Sequence, residues 1–215
     1  MNLARTTGLV LRTRPLTDTS LIVQWLTRDF GRVATVAKGA RRPKSPFRGQ
    51  LDLFYRADLS FARSSRSELH TLREVRLLDS HAGLRLELNF VQQASYCAAL
   101  IEQSAEPDAP MPAIFDNFSN LLRLLPQQPA LPQTIFGFEM KWLHELGLKP
   151  DLAKTDLTPG AKQILERLLD TDWLEIFRLR LSEAQAREIR LFLHGFIIYH
   201  LDRIPRGRSA ALGGE

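Results

Sequence analysis

The chain has 215 residues and is 44% hydrophobic, enough for one large domain or two small ones with a real core. No apolar run approaches the roughly eighteen residues of a membrane-spanning helix, and Met1-Asn2-Leu3-Ala4-Arg5 lacks the apolar core of a secretory signal. The net charge of +5 is unevenly spread: residues 1–80 hold fifteen Lys/Arg against seven Asp/Glu, and the remainder fourteen against seventeen. A basic first third joined to a mildly acidic remainder predicts two modules with different partners.

The first 80 residues follow a two-residue period. Strands are predicted at about 8–14, 20–28 and 32–38, a fourth at 51–61 and a fifth at 68–77. In the fourth, Leu51, Leu53, Tyr55, Ala57, Leu59 and Phe61 share one face, and Phe54 breaks the polar one. Turn residues fill the joins, as at Arg14-Pro15 through Asp18, Asp29-Phe30-Gly31 and Arg63-Ser64-Ser65-Arg66. Five short strands suit a small closed barrel, which leaves no exposed sheet edge.

From Leu84 the period becomes helical. Residues 84–103 are apolar on most sides, as in a buried helix. After Pro107, Pro110 and Pro112, Ile114 to Leu125 give a second helix that stops at Pro126. A third follows Pro132, with Gly147 as its left-handed C-cap. Thr158-Pro159 opens a fourth, and Ser182 with Gln185 forms a capping box for a last one, nearly encircled by apolar residues and running to about Arg203. The small, polar segment 207–215 is expected to be a disordered tail.

Catalytic chemistry finds little support. Asp29-Phe30-Gly31 matches the magnesium tripeptide of kinases, but it sits in a hairpin with no Gly-rich phosphate loop or H-R-D segment. No phosphate-binding G-x-x-x-x-G-K-[ST] or nucleophile elbow G-x-S-x-G occurs. His144-Glu145 begins like a zinc-protease helix, yet Leu148 stands where the second histidine belongs. His194 and His200 are six residues apart, on different sides of a helix. Cys97 is the only cysteine, reads as a small core hydrophobe, excludes an intrachain disulfide and favours a reducing cytoplasm. The reading is a non-enzyme without cofactor or metal.

The strongest signal lies at Lys38–Arg48, where Lys38, Arg41, Arg42, Lys44 and Arg48 occur with no acid among them. Proline and glycine punctuate this run, so it reads as a loop displayed on strands. Arg12, Arg14 and Arg56, with Arg63 and Arg66, could extend a cationic stripe across the barrel. Single-stranded nucleic acid is commonly held this way, by phosphate pairing and by base stacking on aromatics. Phe47 either stacks on a base or pins the loop to the barrel. A solvated charge run is the bland alternative.

The segments G-L-V-L-R-T-R-P-L-T-D-T-S-L-I-V-Q-W-L-T-R-D-F-G-R, K-G-A-R-R-P-K-S-P-F-R-G-Q-L-D-L-F, A-S-Y-C-A-A-L-I-E and F-E-M-K-W-L-H-E-L-G-L-K-P-D-L occur in this order. The chain thereby resembles the bacterial recombination mediator family RecO over about residues 6–152, and the last helix fits too. The resemblance implies an α+β protein, with an N-terminal five-stranded OB-fold barrel over 1–80 and an all-α domain over 81–206. It implies DNA repair and recombination: binding of single- and double-stranded DNA, annealing of complementary strands, and work with RecR and RecA on DNA coated by single-stranded-DNA-binding protein. That coating protein's acidic C-terminal tail is an implied partner, for which Arg178, Arg180, Arg187 and Arg190 are the candidate cations. The implied place is the cytoplasm, on the nucleoid. Many members carry a four-cysteine zinc site after the P-D-L segment. Ala153-Lys154-Thr155-Asp156 stands there in this chain, so no zinc finger is expected. An RNA-binding barrel protein of the translation apparatus and a protein-only adaptor remain as alternatives.

Overall fold

A computed structural model describes residues 3–213. The chain divides into two compact units, Met1–Ala82 with Ala105–Ser119, and Gly83–Ser104 with Asn120–Glu215. The sequence places everything after residue 80 in the helical domain, whereas Ala105–Ser119 packs with the strands.

In the first unit β1 (Leu3–Pro15), β2 (Leu21–Thr27), β3 (Gly31–Ala37), β4 (Arg56–Ala62) and β5 (Leu69–Asp79) close a barrel in the order β1-β2-β3-β5-β4. All pairs are antiparallel except β3 with β5. The length of β1 closes the barrel, because its first half pairs with β4 and its second half with β2. A register shift between Val10 and Arg12 bends it at the changeover. Alternate residues point inward, and Val10, Val23, Trp25, Val33, Ala57, Leu59, Phe61 and Leu72 form the core. The buried Trp25 indole donates to Thr35 Oγ1 at 2.9 Å, so its polar edge is satisfied.

The fourth strand starts at Arg56, five residues later than its alternation predicts. Phe54 is the cause. It is buried with a positive φ of 66°, so the chain cannot be extended there. Its N–H donates to Val10 O, Val10 N–H donates to Tyr55 O, and its own carbonyl meets His81 Nδ1 at 2.8 Å. The break in the polar face marks this knot of contacts.

The segment Ala105–Ser119 straps the turn between β2 and β3. Asp108 N–H donates to Arg32 O, Arg32 Nε donates to Ala105 O at 3.0 Å, and Asp116 pairs with Arg28 at 3.2 Å. Asp108 pairs with Arg63 at 3.1 Å. Gly31 has φ of 62°, and a Cβ there would lie 1.8 Å from the Ala109 carbonyl oxygen. The strap holds Glu106, Asp108 and Asp116 and no Lys or Arg. The excess acid assigned from sequence to the helical half therefore belongs to the strap, and the helical unit has fourteen basic and fourteen acidic residues.

The helices are α1 (Leu88–Ser104), α2 (Pro112–Leu124), α3 (Pro132–Glu145), α4 (Pro159–Asp170), α5 (Trp173–Arg178), α6 (Glu183–Leu201) and α7 (Arg208–Ala211). Gly147 N–H donates to His144 O and Leu148 N–H to Leu143 O, a Schellman ending for α3 with Gly147 at φ 73°. Thr158 caps α4, and Ser182 and Gln185 form the predicted capping box on α6. The sequence reading passes over α5, whose N-cap is Asp172. In α6 only Ile189, Leu193 and Ile197 are buried, while Leu191 and Tyr199 are 66% and 82% exposed. The nearly encircling apolar pattern thus packs on one face only and leaves the other exposed.

The segment expected to be disordered is also corrected. Residues 208–211 form α7, with Arg208 buried. Arg208 Nε and Nη2 donate to the two oxygens of the fully buried Glu139 at 2.7 and 2.9 Å, and Tyr96 OH donates to Glu139 Oε1 at 2.6 Å. Gln93 also donates to Ala211 O. Residues 214 and 215 lie outside the described range.

Candidate nucleic-acid interface

Strand direction decides where the barrel cations gather. Arg12 and Arg14 lie toward the C-terminal end of β1, and Arg56 opens β4. The basic loop runs from the end of β3 to the start of β4, so all of them occupy one end of the barrel. Arg63 and Arg66, in the turn after β4, lie at the other end. Arg63 is engaged there by Asp108 and sits 5.6 Å over the Phe30 ring. The continuous stripe that would include them does not form.

The loop is ordered by a chain of turns. Arg42 N–H donates to Gly39 O, Ser45 to Arg42 O, Arg48 to Ser45 O and Gln50 to Phe47 O, with Gly39 and Gly49 both at φ 71°. Arg41 N–H donates to Thr19 O and its Nη1 to Thr17 O, tying the loop to the β1–β2 turn. Gln50 Oε1 accepts from Leu77 N–H on β5. Such a loop presents its charges without first losing much entropy.

Lys38, Arg41, Arg42, Lys44 and Arg48 are all exposed, and among the described residues none is within salt-bridge distance of a carboxylate. Arg12 and Arg14 are exposed, and Arg56 is half-buried. Phe47 is 7% exposed and belongs to the barrel core, so of the two readings the ring pins the loop and is not presented for stacking on a base. Burying one aromatic from an otherwise cationic loop turns the charges outward.

A cleft of about 570 Å³ on another barrel surface is lined by Arg5, Asp29, Asp58, Glu74 and Arg76 among others. Its carboxylates suit a polyanion poorly. Asp58 accepts from Thr7 and pairs with Arg76, and these bonds, Arg76 first, hold its carboxyl below the usual range.

In the helical unit the four arginines proposed for the acidic tail do not meet in one pocket. Arg178 and Arg180 line a cleft with Arg167, a residue that sequence spacing does not connect to them. Arg190 lines a separate groove of about 250 Å³ with Leu191, His194, Ile204 and Leu212, and donates to Leu212 O. Arg187 lies one turn before Arg190 and is exposed. Glu188, next to Arg187 in the chain, accepts from the Thr158 N–H and hydroxyl.

Among the described residues there is no cluster of three His, Cys, Asp or Glu able to hold a metal, and no helix is long and apolar enough to cross a membrane. Ala153 and Lys154 fall in a single 3-10 turn closed by Thr155, whose hydroxyl donates to Leu152 O. Cys97 is buried, and burial, then the charge of Glu139, pushes its thiol well up.

A closed five-stranded barrel of this strand order, followed by an all-helical unit, defines an OB-fold protein with a helical C-terminal half. Residues 1–81 match the family model "Recombination protein O N terminal", and residues 91–155 match "Recombination protein O C terminal". The DNA repair protein RecO of Symbiobacterium thermophilum is 30% identical, over 94% of this chain and 94% of its own length. Those of Bacillus subtilis and Rhodopirellula baltica are 31% and 32% identical, over 70% and 66% of this chain and 58% and 53% of their own. The chain belongs to the RecO family of DNA repair proteins.

Proposed function

We propose that this chain binds single- and double-stranded DNA through the basic loop and anneals complementary strands without bond chemistry. The observation that carries this is the ordered loop, whose five exposed cations have no carboxylate within salt-bridge distance among the described residues. A cationic surface that holds two strands lowers their repulsion and raises their local concentration, which speeds pairing. Arg12, Arg14 and Arg56 border the same surface.

Family membership supports the wider reading: a non-enzymatic mediator in the cytoplasm, on the nucleoid, that helps load RecA with RecR onto DNA coated by single-stranded-DNA-binding protein. The acidic, apolar tail of that protein fits the groove between α6 and α7. Leu191, Ile204 and Leu212 would take its apolar side chains, and Arg187 and Arg190 its carboxylates.

The test combines strand annealing on bare and protein-coated DNA with the salt dependence of binding. Arg41→Ala with Arg42→Ala should weaken binding to all sequences alike and flatten the log–log salt slope for single strands by about 1.4. An unchanged slope removes the loop from the site. Binding without annealing would favour an RNA-binding protein of the translation apparatus, and absence of nucleic-acid binding a protein-only adaptor.

A further inference from the structure

The groove that fits an acidic, apolar peptide and the cleft that holds Arg178 and Arg180 are different places with different chemistry. The cleft has a volume of about 510 Å³, and three elements of the helical unit supply its guanidiniums: Arg167 from α4, Arg178 from the end of α5, and Arg180 from the connection to α6. All three are exposed, and among the described residues none has a carboxylate within salt-bridge distance. Glu175 is the single acid in the lining. Cations near helix C-termini are common because the dipole favours them, which accounts for Arg167 and Arg178 taken singly. It does not account for Arg180, which lies outside any helix, or for their convergence on one concavity in a unit that is neutral overall.

We infer that this cleft is a second nucleic-acid site, which takes the phosphodiesters of a strand other than the one on the basic loop. A concave wall with three positive charges and one negative focuses the field on a polyanion. The guanidinium fork matches phosphate oxygens and stays charged at any working pH. Gln163 and Gln185, also in the lining, can bond sugar and base edges without reading one sequence. Its mainly polar lining suits a phosphate chain better than an apolar peptide, for which the α6–α7 groove is the better match. This inference rests on the reading of the chain as a strand-annealing protein and supplies the second strand's place, on a body distinct from the barrel.

The test uses the full chain with Arg167→Gln, Arg178→Gln and Arg180→Gln combined, beside the Arg41→Ala/Arg42→Ala variant. With a short single strand, the wild type should bind two strands per chain and each variant one. The arginine-cleft variant should flatten the salt slope of the weaker event by about 2 for three phosphates lost. It should slow annealing yet bind an acidic, apolar peptide as the wild type does. An unchanged slope and stoichiometry would overturn the site, as would loss of the peptide in place of the strand. Binding of inorganic phosphate that the variant loses, with strand binding intact, would assign a free-anion site and overturn it too. Should the triple variant fail to fold, Glu175→Gln decides: tighter strand binding supports the site, and unchanged binding overturns it. If the wild type binds no strand at all, the broader proposal fails with it. A slope that responds only to the loop variant sinks the second site alone.

Discussion

Glu139 is fully buried and its charge is matched by the two-pronged contact with Arg208, while Tyr96 donates to the same carboxylate. Burial opposes the charge on Arg208, but the bonds to Glu139 outweigh it and raise the group's proton affinity. Burial, then the Glu139 charge, pushes the Tyr96 hydroxyl well up, so it stays protonated and able to donate. Removing one partner leaves a bare buried charge. Arg208→Met should therefore cost about 3–5 kcal/mol in urea unfolding, and adding Glu139→Leu should recover much of it. A double variant as unstable as the single would point to the packing of α7 as the cause. At the surface, Asp58 makes the opposite case. Its carboxyl is held down by Arg76 and Thr7, so its folded value lies below the unfolded one. The stability it contributes is present above the unfolded value, near 3.9, and is lost as pH falls through the folded one. The pair is solvent-exposed, so Asp58→Asn should cost at most about 1 kcal/mol at neutral pH. Thermal unfolding of the two proteins should converge in acid below the lowered carboxyl value.

Among the elements, the basic loop and the acidic strap divide the barrel between them. The strap's Asp108 and Asp116 engage Arg63 and Arg28 at one end, and the loop leaves its cations unpaired at the other. Gly31 is the hinge pin of that arrangement, because its backbone is left-handed and the Ala109 carbonyl fills the space a side chain needs. Gly31→Ala should cost about 1–3 kcal/mol and expose Ala105–Ser119 to limited proteolysis, both relative to wild type. Equal cleavage of the two proteins would show that the strap does not depend on this contact. The strap was not legible as part of the barrel. Its prolines and acids read as a break between helices, and its partners lie up to 88 residues away in the chain. The strands and most helix ends were legible, because alternation, caps and the Gly147 ending act over a few residues. At Phe54 and in α7 the local signal misled: a long-range pairing to β1 in the first case and a buried ion pair in the second override a composition typical of strand or tail.

For the molecule as a whole, two compact units carry different charge. The barrel with its strap holds the entire excess of +5, and the helical unit is balanced. Function should follow that division, with the net cationic field at the barrel and local clefts in the helices. Around Ala153-Lys154-Thr155-Asp156, which holds no cysteine, Leu152–Lys154 form a short 3-10 turn, and Lys162 donates to the Thr155 carbonyl at 2.8 Å. A chelator should leave the melting temperature unchanged, and elemental analysis should find no stoichiometric zinc. Zinc that survives dialysis at one per chain would reverse this reading. The amino-acid sequence by itself determined the barrel-then-helices order, the family, and the basic loop, since each is written in periodicity, capping or a run of like charge. Only the tertiary structure decided that Phe47 faces the core, that Arg63 is paired and not free, that residues 208–211 form a helix, and that Arg167 stands with Arg178 and Arg180. The physical reason is range. Propensity and charge runs act between neighbours in the chain, whereas pairing, burial and the convergence of guanidiniums depend on which distant residues the closed fold brings together.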